Sequence, residues 1–236
     1  MKVSILIPFR RGDLVQERNL EWLLARYRAF FPDYEIIVEE DEPGSPPFAK
    51  AASLNRAFRR SSGDIILQSD AEVFCKPEQI RQAVEGCKKA GWALTYERVY
   101  KLNPAISQRI VQGSVEADPP ELALGDILDS REARKAKTWW GFLVAVRQDV
   151  WPGFDERFVG WGYEDVAFRF TLETLCGPPH WVKGNLYHLW HSLISREESQ
   201  NSGQLAHNTR LFVRYRKALG DKVAMAKLQR RGQWRV

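Results

Sequence analysis

The chain has 236 residues, 44% of them hydrophobic, and a formal net charge of +5 at pH 7. That is enough apolar material for one substantial core, so a single α/β domain suffices, and the mild basic bias fits acidic ligands such as nucleotides. Three cysteines, Cys75, Cys87 and Cys176, are an odd number without a C-x-x-C pair, which argues against a disulfide framework or a cysteine zinc site and points to a reducing compartment.

Met1-Lys2 leads into an apolar run that stops at Pro8, too short for a signal sequence or a membrane span. The expectation is a soluble cytoplasmic protein that meets a membrane only by surface contact. Val3-Ser4-Ile5-Leu6-Ile7 reads as a buried strand of a parallel sheet. Arg10, Arg11 and Asp13 follow it, then a helical pattern with Leu20, Leu23, Leu24 and Tyr27 on one face. Tyr34 to Val38 is a second strand that empties into the acidic cluster Glu39-Glu40-Asp41-Glu42. Strand, helix and strand make a βαβ unit, and ligands of open α/β sheets bind beyond the carboxyl ends of such strands. Neither G-x-G-x-x-G nor a G-K-[ST] loop is present, so the dinucleotide and P-loop readings have no support.

Phe48 to Phe58 reads as an alanine-rich helix whose polar side carries Lys50, Asn55 and Arg56. Ile65 to Gln68 is another buried strand, and Asp70-Ala71-Glu72 stands at its carboxyl end. Acid-x-acid triplets are common by chance, yet two carboxylates placed there suit a divalent ion that also holds a diphosphate. A helix from Pro77 toward Gly91 and a strand over Trp92 to Tyr96 come next. Residues 97–137 are polar and end in the charged run Ser130 to Lys137, which reads as a solvated helix or a lid. Trp139, Trp140 and Gly141 precede the strand Phe142 to Val146; adjacent tryptophans suit either the core or stacking on a sugar ring.

Gly160-Trp161-Gly162-Tyr163-Glu164-Asp165 follows, ahead of a helix that runs on to Gly177. Two carboxylates at a helix start fit a capped loop, and equally a general base held as an anion by unpaired N–H groups. Of the four histidines, His188 and His191 form H-x-x-H, with His180 upstream. Their imidazoles suit a mixed N/O shell with Asp70 or Glu72, acceptable to Mn2+ and tolerable for Mg2+. The stretch Arg210 to Val236 holds nine Lys or Arg against one acid, Asp221. It reads as a solvated helix packed by Leu211, Phe212, Tyr215 and Leu219, or as a contact for an anionic membrane surface or nucleic acid.

In this order the motifs resemble the GT-A fold glycosyltransferases, above all the metal-dependent β-1,4-galactosyltransferase family, with looser similarity to polypeptide N-acetylgalactosaminyltransferases and chondroitin-type polymerases. Ile7-Pro8-Phe9-Arg10 is similar to that family's first nucleotide-binding motif, and Phe48 to Asn55 to its F-x-[RK]-A-x-x-[LM]-N helix. Asp70-Ala71-Glu72 stands at its D-x-D, Trp161 to Asp165 at its W-G-G-E-D, and His188 to His191 where its last metal ligands fall. The resemblance covers about residues 3–192 and implies a mixed, mainly parallel Rossmann-like sheet flanked by helices, in one domain. Within it, residues 1–96 form the nucleotide-binding half and 138–192 the acceptor and catalytic half, with 193–236 a basic helical extension.

The resemblance also implies transfer of a hexose or N-acetylhexosamine from a UDP-sugar, assisted by Mn2+ or Mg2+. Asp165 is then the base and Glu164 the orienting acid. Pro8, Phe9, Arg10, Asp13, Glu39, Asp41, Lys50, Asn55, Asp70 and Gly141 meet the donor, and Trp139, Trp140 and Trp161 the acceptor. Asp70, Glu72, His188 and His191 are the metal candidates. The acceptor is a glycan, a lipid-linked glycan or a protein; no nucleic-acid partner is expected. Three departures stand out: Glu72 ends the triplet, Tyr163 replaces a glycine and so narrows the sugar pocket, and a single Gly141 stands where two glycines are usual. The competing classes are a retaining polypeptide-modifying transferase, where Asn usually follows the Glu, a sugar nucleotidyltransferase, and a non-catalytic anion-binding module.

Overall fold

The computed structural model describes residues 1–41, 47–114, 116–118, 120–133, 143–192 and 203–232. In chain order the strands are β1 (Val3–Phe9), β2 (Glu35–Glu40), β3 (Ile65–Ser69), β4 (Val73–Phe74), β5 (Trp92–Leu94), β6 (Arg98–Leu102), β7 (Ile127–Glu132), β8 (Leu143–Arg147), β9 (His180–Trp181) and β10 (Asn185–His188). The helices are α1 (Leu14–Phe30), α2 (Lys50–Arg60), α3 (Pro77–Ala90), α4 (Pro104–Val111), α5 (Glu164–Cys176), α6 (Gln204–Ala218) and α7 (Lys222–Gly232).

All seven residues of β1 are buried, because the strand lies between two neighbours inside the sheet. That position is why its sequence is a continuous apolar run rather than an alternating one. β1 pairs in parallel with β2 and β3, the two partners expected of consecutive βα units. The order of the six-stranded sheet is β2-β1-β3-β8-β5-β9, with β8 antiparallel to both its neighbours. The result is the mixed, mainly parallel sheet flanked by helices that the motifs imply.

A second, four-stranded sheet, β4-β10-β6-β7, was not legible as such. The run Ser130 to Glu132, expected in a solvated helix, instead ends β7, which pairs antiparallel with β6; Arg134 to Lys137 lie outside the described residues. Charge alone misled here, since an edge strand exposed on one side tolerates charged residues as readily as a helix does. This sheet matters for function because β4 follows the 70–72 triplet directly and pairs antiparallel with β10, aligning Val73 with His188. The Leu189 N–H donates to the Glu72 carbonyl at 2.9 Å, so the histidine segment is zipped onto the triplet by backbone hydrogen bonds.

Helices α6 and α7 pack on α5 around a separate apolar cluster of Phe158, Ala167, Leu211, Tyr215, Ala218 and Met225. Leu211 and Tyr215 are buried as expected, Phe212 is half-buried, and Leu219 is exposed rather than packed. The anchor of this layer is Asp155. Its buried carboxylate accepts from the Tyr215 hydroxyl at 2.7 Å and from the Arg157 guanidinium at 2.5 Å. Gly232 closes the contact: its carbonyl accepts from the Glu156 N–H at 3.0 Å, and a Cβ there would lie 2.2 Å from the Asp155 carboxyl carbon.

Tyr215→Phe removes one donor from the buried Asp155 carboxyl that Arg157 also pairs, a kind of hydrogen bond worth about 1.5–3 kcal/mol. Chemical denaturation should show a loss of that size with an unchanged denaturant slope.

Candidate active site

Two clusters of side chains meet at the carboxyl end of β3. The first is built around Lys50, at the start of α2. Its Nζ lies 2.7 Å from Asp70 Oδ1, 2.8 Å from Asp165 Oδ2 and 3.8 Å from Glu164 Oε1. Asp70 comes from the loop after β3, and Glu164 and Asp165 from the first turn of α5, so three elements distant in sequence converge on one ammonium. All four side chains are largely buried.

The turn into α5 explains the pointing of its two acids. Gly162 has φ +118° and Tyr163 φ +76°, the latter alone among described non-glycine residues in having a positive φ. A residue with a Cβ there carries strain of about 1–3 kcal/mol. The Tyr163 ring stacks on Phe212 of α6, with centroids 4.6 Å apart and planes within 10°. The tyrosine ring is therefore turned to the C-terminal helices. The Gly162 N–H donates to Glu164 Oε2 at 3.1 Å.

Burial sets the protonation of this group. It pushes the Asp165 carboxyl up to about 6, against the pull of the Lys50 ammonium, with Asp70 adding to the rise. Burial and then the Asp165 charge push Glu164 up to about 7. Asp70 is raised by burial, opposed by Lys50. Burial works against the Lys50 ammonium, yet the surrounding carboxylates hold its pKa well above the ordinary lysine range. Asp165 Oδ1 has no partner of hydrogen-bond geometry, although the Gln68 side chain lies near enough to favour the charged form.

The second cluster is Glu72, His188 and His191, each offering a ligand atom within 4.8 Å of the others. His188 Nε2 and His191 Nε2 each lie 3.6 Å from Glu72 Oε1. His188 Nδ1 is 2.9 Å from the Leu189 carbonyl and His191 Nδ1 is 2.7 Å from the Ser192 carbonyl. A carbonyl only accepts, so both Nδ1 atoms carry a proton and it is the two Nε2 atoms that face Glu72. Burial first, then His191 and Lys101, keep His188 well below the ordinary histidine range and hence neutral. Two imidazoles and a carboxylate are a donor set that fits Mn2+ or Mg2+. Asp70 stands outside this trio, on Lys50.

The remaining candidates fall as follows. Pro8 and Phe9 are buried within β1, with Arg10 half-buried at its end. Asp13 caps α1 through the Val15 N–H at 2.8 Å and accepts from the Ser192 hydroxyl. Glu39 is held by Arg56 at 2.8 Å and Arg60 at 2.6 Å, and Asp41 accepts from the Ala49 N–H at 3.1 Å. Asn55 is a tie: its amide donates to the Phe154 carbonyl at 2.9 Å and to Glu156 at 2.8 Å, and accepts from the Phe154 N–H at 2.8 Å. With both ends engaged, it joins α2 to the segment before α5. Trp161 is 41% exposed beside the α5 turn. Trp139, Trp140 and Gly141 lie outside the described residues. Sequence reasoning missed Gln68 and the buried Tyr96, whose phenol is raised by burial and then by Asp70 and Asp165. Both look like ordinary strand residues in the sequence.

No protein-family model and no curated protein matches the sequence. The fold does match solved structures. Glucosyl-3-phosphoglycerate synthase from Mycobacterium tuberculosis, in complex with Mn2+, UDP-glucose and phosphoglyceric acid, superposes with a TM-score of 0.53 at 13% identity, over 93% of this chain and 79% of that one. A mutant Drosophila β-1,4-galactosyltransferase 7, in complex with manganese, UDP-Gal and xylobiose, gives 0.50 at 15% identity, over 86% of this chain and 79% of that one. At such identities the likeness establishes the fold alone, and that fold is the GT-A glycosyltransferase fold.

Because the folded-state values of Glu164 and Asp165 lie above the ordinary carboxylate range, the folded protein binds protons that the unfolded chain releases. Their contribution is complete below pH about 4 and is lost as pH rises through about 6–7. Thermal melts of the metal-free protein should therefore show a downward component between those limits that Glu164→Gln and Asp165→Asn each flatten.

Proposed function

We propose that the protein is a metal-dependent glycosyltransferase that moves a hexose or N-acetylhexosamine from a UDP-sugar to an acceptor hydroxyl, with inversion and with Asp165 as base. The observation that carries this reading is the placement of the Lys50–Asp165–Asp70 cluster two residues along the chain from the Glu72–His188–His191 trio. A base and a metal shell side by side at the carboxyl edge of a GT-A sheet suit one substrate in particular: a sugar on a diphosphate. The solved neighbours hold Mn2+ and UDP-sugars, which supports the same donor class here.

Asp165 Oδ1 takes the proton of the acceptor hydroxyl while the hydroxyl oxygen attacks the anomeric carbon. The bond from that carbon to the diphosphate oxygen breaks, and UDP leaves with the electron pair. Single displacement inverts the anomeric centre. An upward-shifted carboxylate that is still ionised near neutrality is well matched to this task. Lys50 holds the carboxylate anionic until the proton arrives. Glu164, half-protonated near pH 7, donates or accepts a hydrogen bond at a sugar or acceptor hydroxyl. Glu72, His188 and His191 would hold the ion, which supplies positive charge to the diphosphate as the leaving group departs. Arg10, half-buried at the end of β1, would meet the nucleotide, and the exposed Trp161 would give the acceptor an apolar surface.

The reading extends to where the acceptor comes from. Eight exposed Lys and Arg between Arg210 and Arg231 stand against the single acid Asp221, with exposed Leu219 and Val223 at the turn between α6 and α7. That combination suits peripheral contact with an anionic bilayer, and so a lipid-linked glycan acceptor. No helix among the described residues is long and apolar enough to cross a membrane. The protein should co-sediment with phosphatidylserine vesicles at low salt, lose them at high salt, and ignore phosphatidylcholine; equal binding to both lipids would remove this part.

The donor test is thermal shift with UDP, GDP and their sugars, with and without Mn2+. A UDP-sugar should raise the melting temperature only with metal present, since stabilisation follows ligand concentration over its dissociation constant. With the donor in hand, Asp165→Asn should lower transfer about 10²–10⁴-fold while the metal-dependent shift persists. Retained transfer in that variant removes Asp165 as the base, and a product of unchanged anomeric configuration removes inversion.

A further inference from the structure

Gln16 plays no part in the reading above, and it touches the metal trio from outside. Its side-chain amide is placed with the nitrogen, Nε2, 2.9 Å from His191 Nδ1, the same atom that is 2.7 Å from the Ser192 carbonyl; amide oxygen and nitrogen are interchangeable in shape, so the hydrogen bonds decide which of them belongs there. The carbonyl requires a proton on Nδ1. An amide NH2 facing that N–H would set donor against donor, whereas a half-turn of the amide places its oxygen there as a second acceptor. The arrangement that satisfies both contacts is thus Nδ1–H shared between the Ser192 carbonyl and Gln16 Oε1, which leaves the Nε2 lone pair toward Glu72.

The same end of α1 holds the histidine segment at further points. The Ser192 hydroxyl donates to Asp13, the cap of α1, and Asn19 donates to the Trp190 carbonyl at 3.1 Å. From the other side the Trp190 N–H donates to Ser107 of α4 at 2.9 Å. His188 is fixed by the β4–β10 pairing, but His191 lies past the end of β10 and has no strand to orient it. Its ring is set by the first turn of α1 instead.

We infer that Gln16 is a positioning residue for the metal centre: by accepting from His191 Nδ1–H it fixes the tautomer and ring angle that present Nε2 to the ion. This rests on the metal reading proposed above. Acceptors behind a ligating imidazole raise its basicity and hold its orientation, and their loss costs about 10–100-fold in metal affinity.

The experiment is calorimetric titration of the donor-free protein with Mn2+, beside melting temperatures of each metal-free variant. Gln16→Glu keeps an acceptor at the ring and should retain wild-type affinity or exceed it. Gln16→Leu offers nothing and Gln16→Lys only a donor; both should bind Mn2+ about 10–100-fold more weakly at an unchanged metal-free melting temperature. Unchanged affinity in Gln16→Leu overturns the proposal, as does a Gln16→Lys protein that binds as well as Gln16→Glu. If the wild type takes up no Mn2+ while His188→Ala and His191→Ala behave like it, the metal centre itself is wrong, a result separate from a failure of Gln16 alone.

Discussion

One ammonium among three carboxylates organises this molecule. Lys50 sits within 2.8 Å of both Asp70 and Asp165 and 3.8 Å from Glu164. Without it, two adjacent acids on α5 and a third after β3 would face one another in a largely buried space, where like charges are costly and one or more would be forced neutral. With it, the rise of the Asp165 carboxyl stops at about 6 and that of Glu164 at about 7. A buried charge cluster gives little net stability, and losing one partner of such a pair costs about 3–5 kcal/mol. The arrangement therefore makes sense as chemistry held ready rather than as a source of stability.

The scaffold around this cluster is arranged to make the convergence unavoidable. β1, β2 and β3 run parallel, so their carboxyl ends share an edge, and Arg10, Asp41 and Asp70 fall there together. The segment carrying Glu164 and Asp165 is fixed at three points: Asn55 ties Phe154 to α2, Asp155 is clamped by Tyr215 and Gly232, and Tyr163 leans on Phe212. Two of those anchors lie in α6 and α7. The basic C-terminal stretch is thus part of what aims the acids, besides whatever its charged outer face binds.

How much of this was legible in the sequence follows from whether the signal was local. The strands β1 and β3, helix α2, the triplet at 70–72 and the start of α5 could be placed because each is a short pattern with one physical meaning: an uninterrupted apolar run, an alanine-rich amphipathic stretch, acids at an element end. The second sheet was not legible, because β4 is only two residues long and its pairing is decided by β10, more than 100 residues further along the chain. Asn55 and Asp13 illustrate the same limit. The resemblance implied donor contacts for both, and what no spacing showed is that the fold engages Asn55 in backbone ties and Asp13 in a cap. Lys50 was placed with the donor, and its position among the carboxylates depends on three segments whose meeting no spacing encodes.

The two clusters are joined through the chain as well as through space. Asp70 belongs to the Lys50 group and Glu72 to the histidine trio, with only Ala71, 5% exposed, between them. The three residues form the short turn between β3 and β4, in which Ala71 packs inward and the two acids on either side of it reach different neighbours. An acid-x-acid triplet with a small central residue is therefore a short way to serve a cation on the protein and an ion on the ligand from one loop. Glu72, longer than aspartate by one methylene, reaches two imidazoles that the β4–β10 pairing and α1 hold at a set distance.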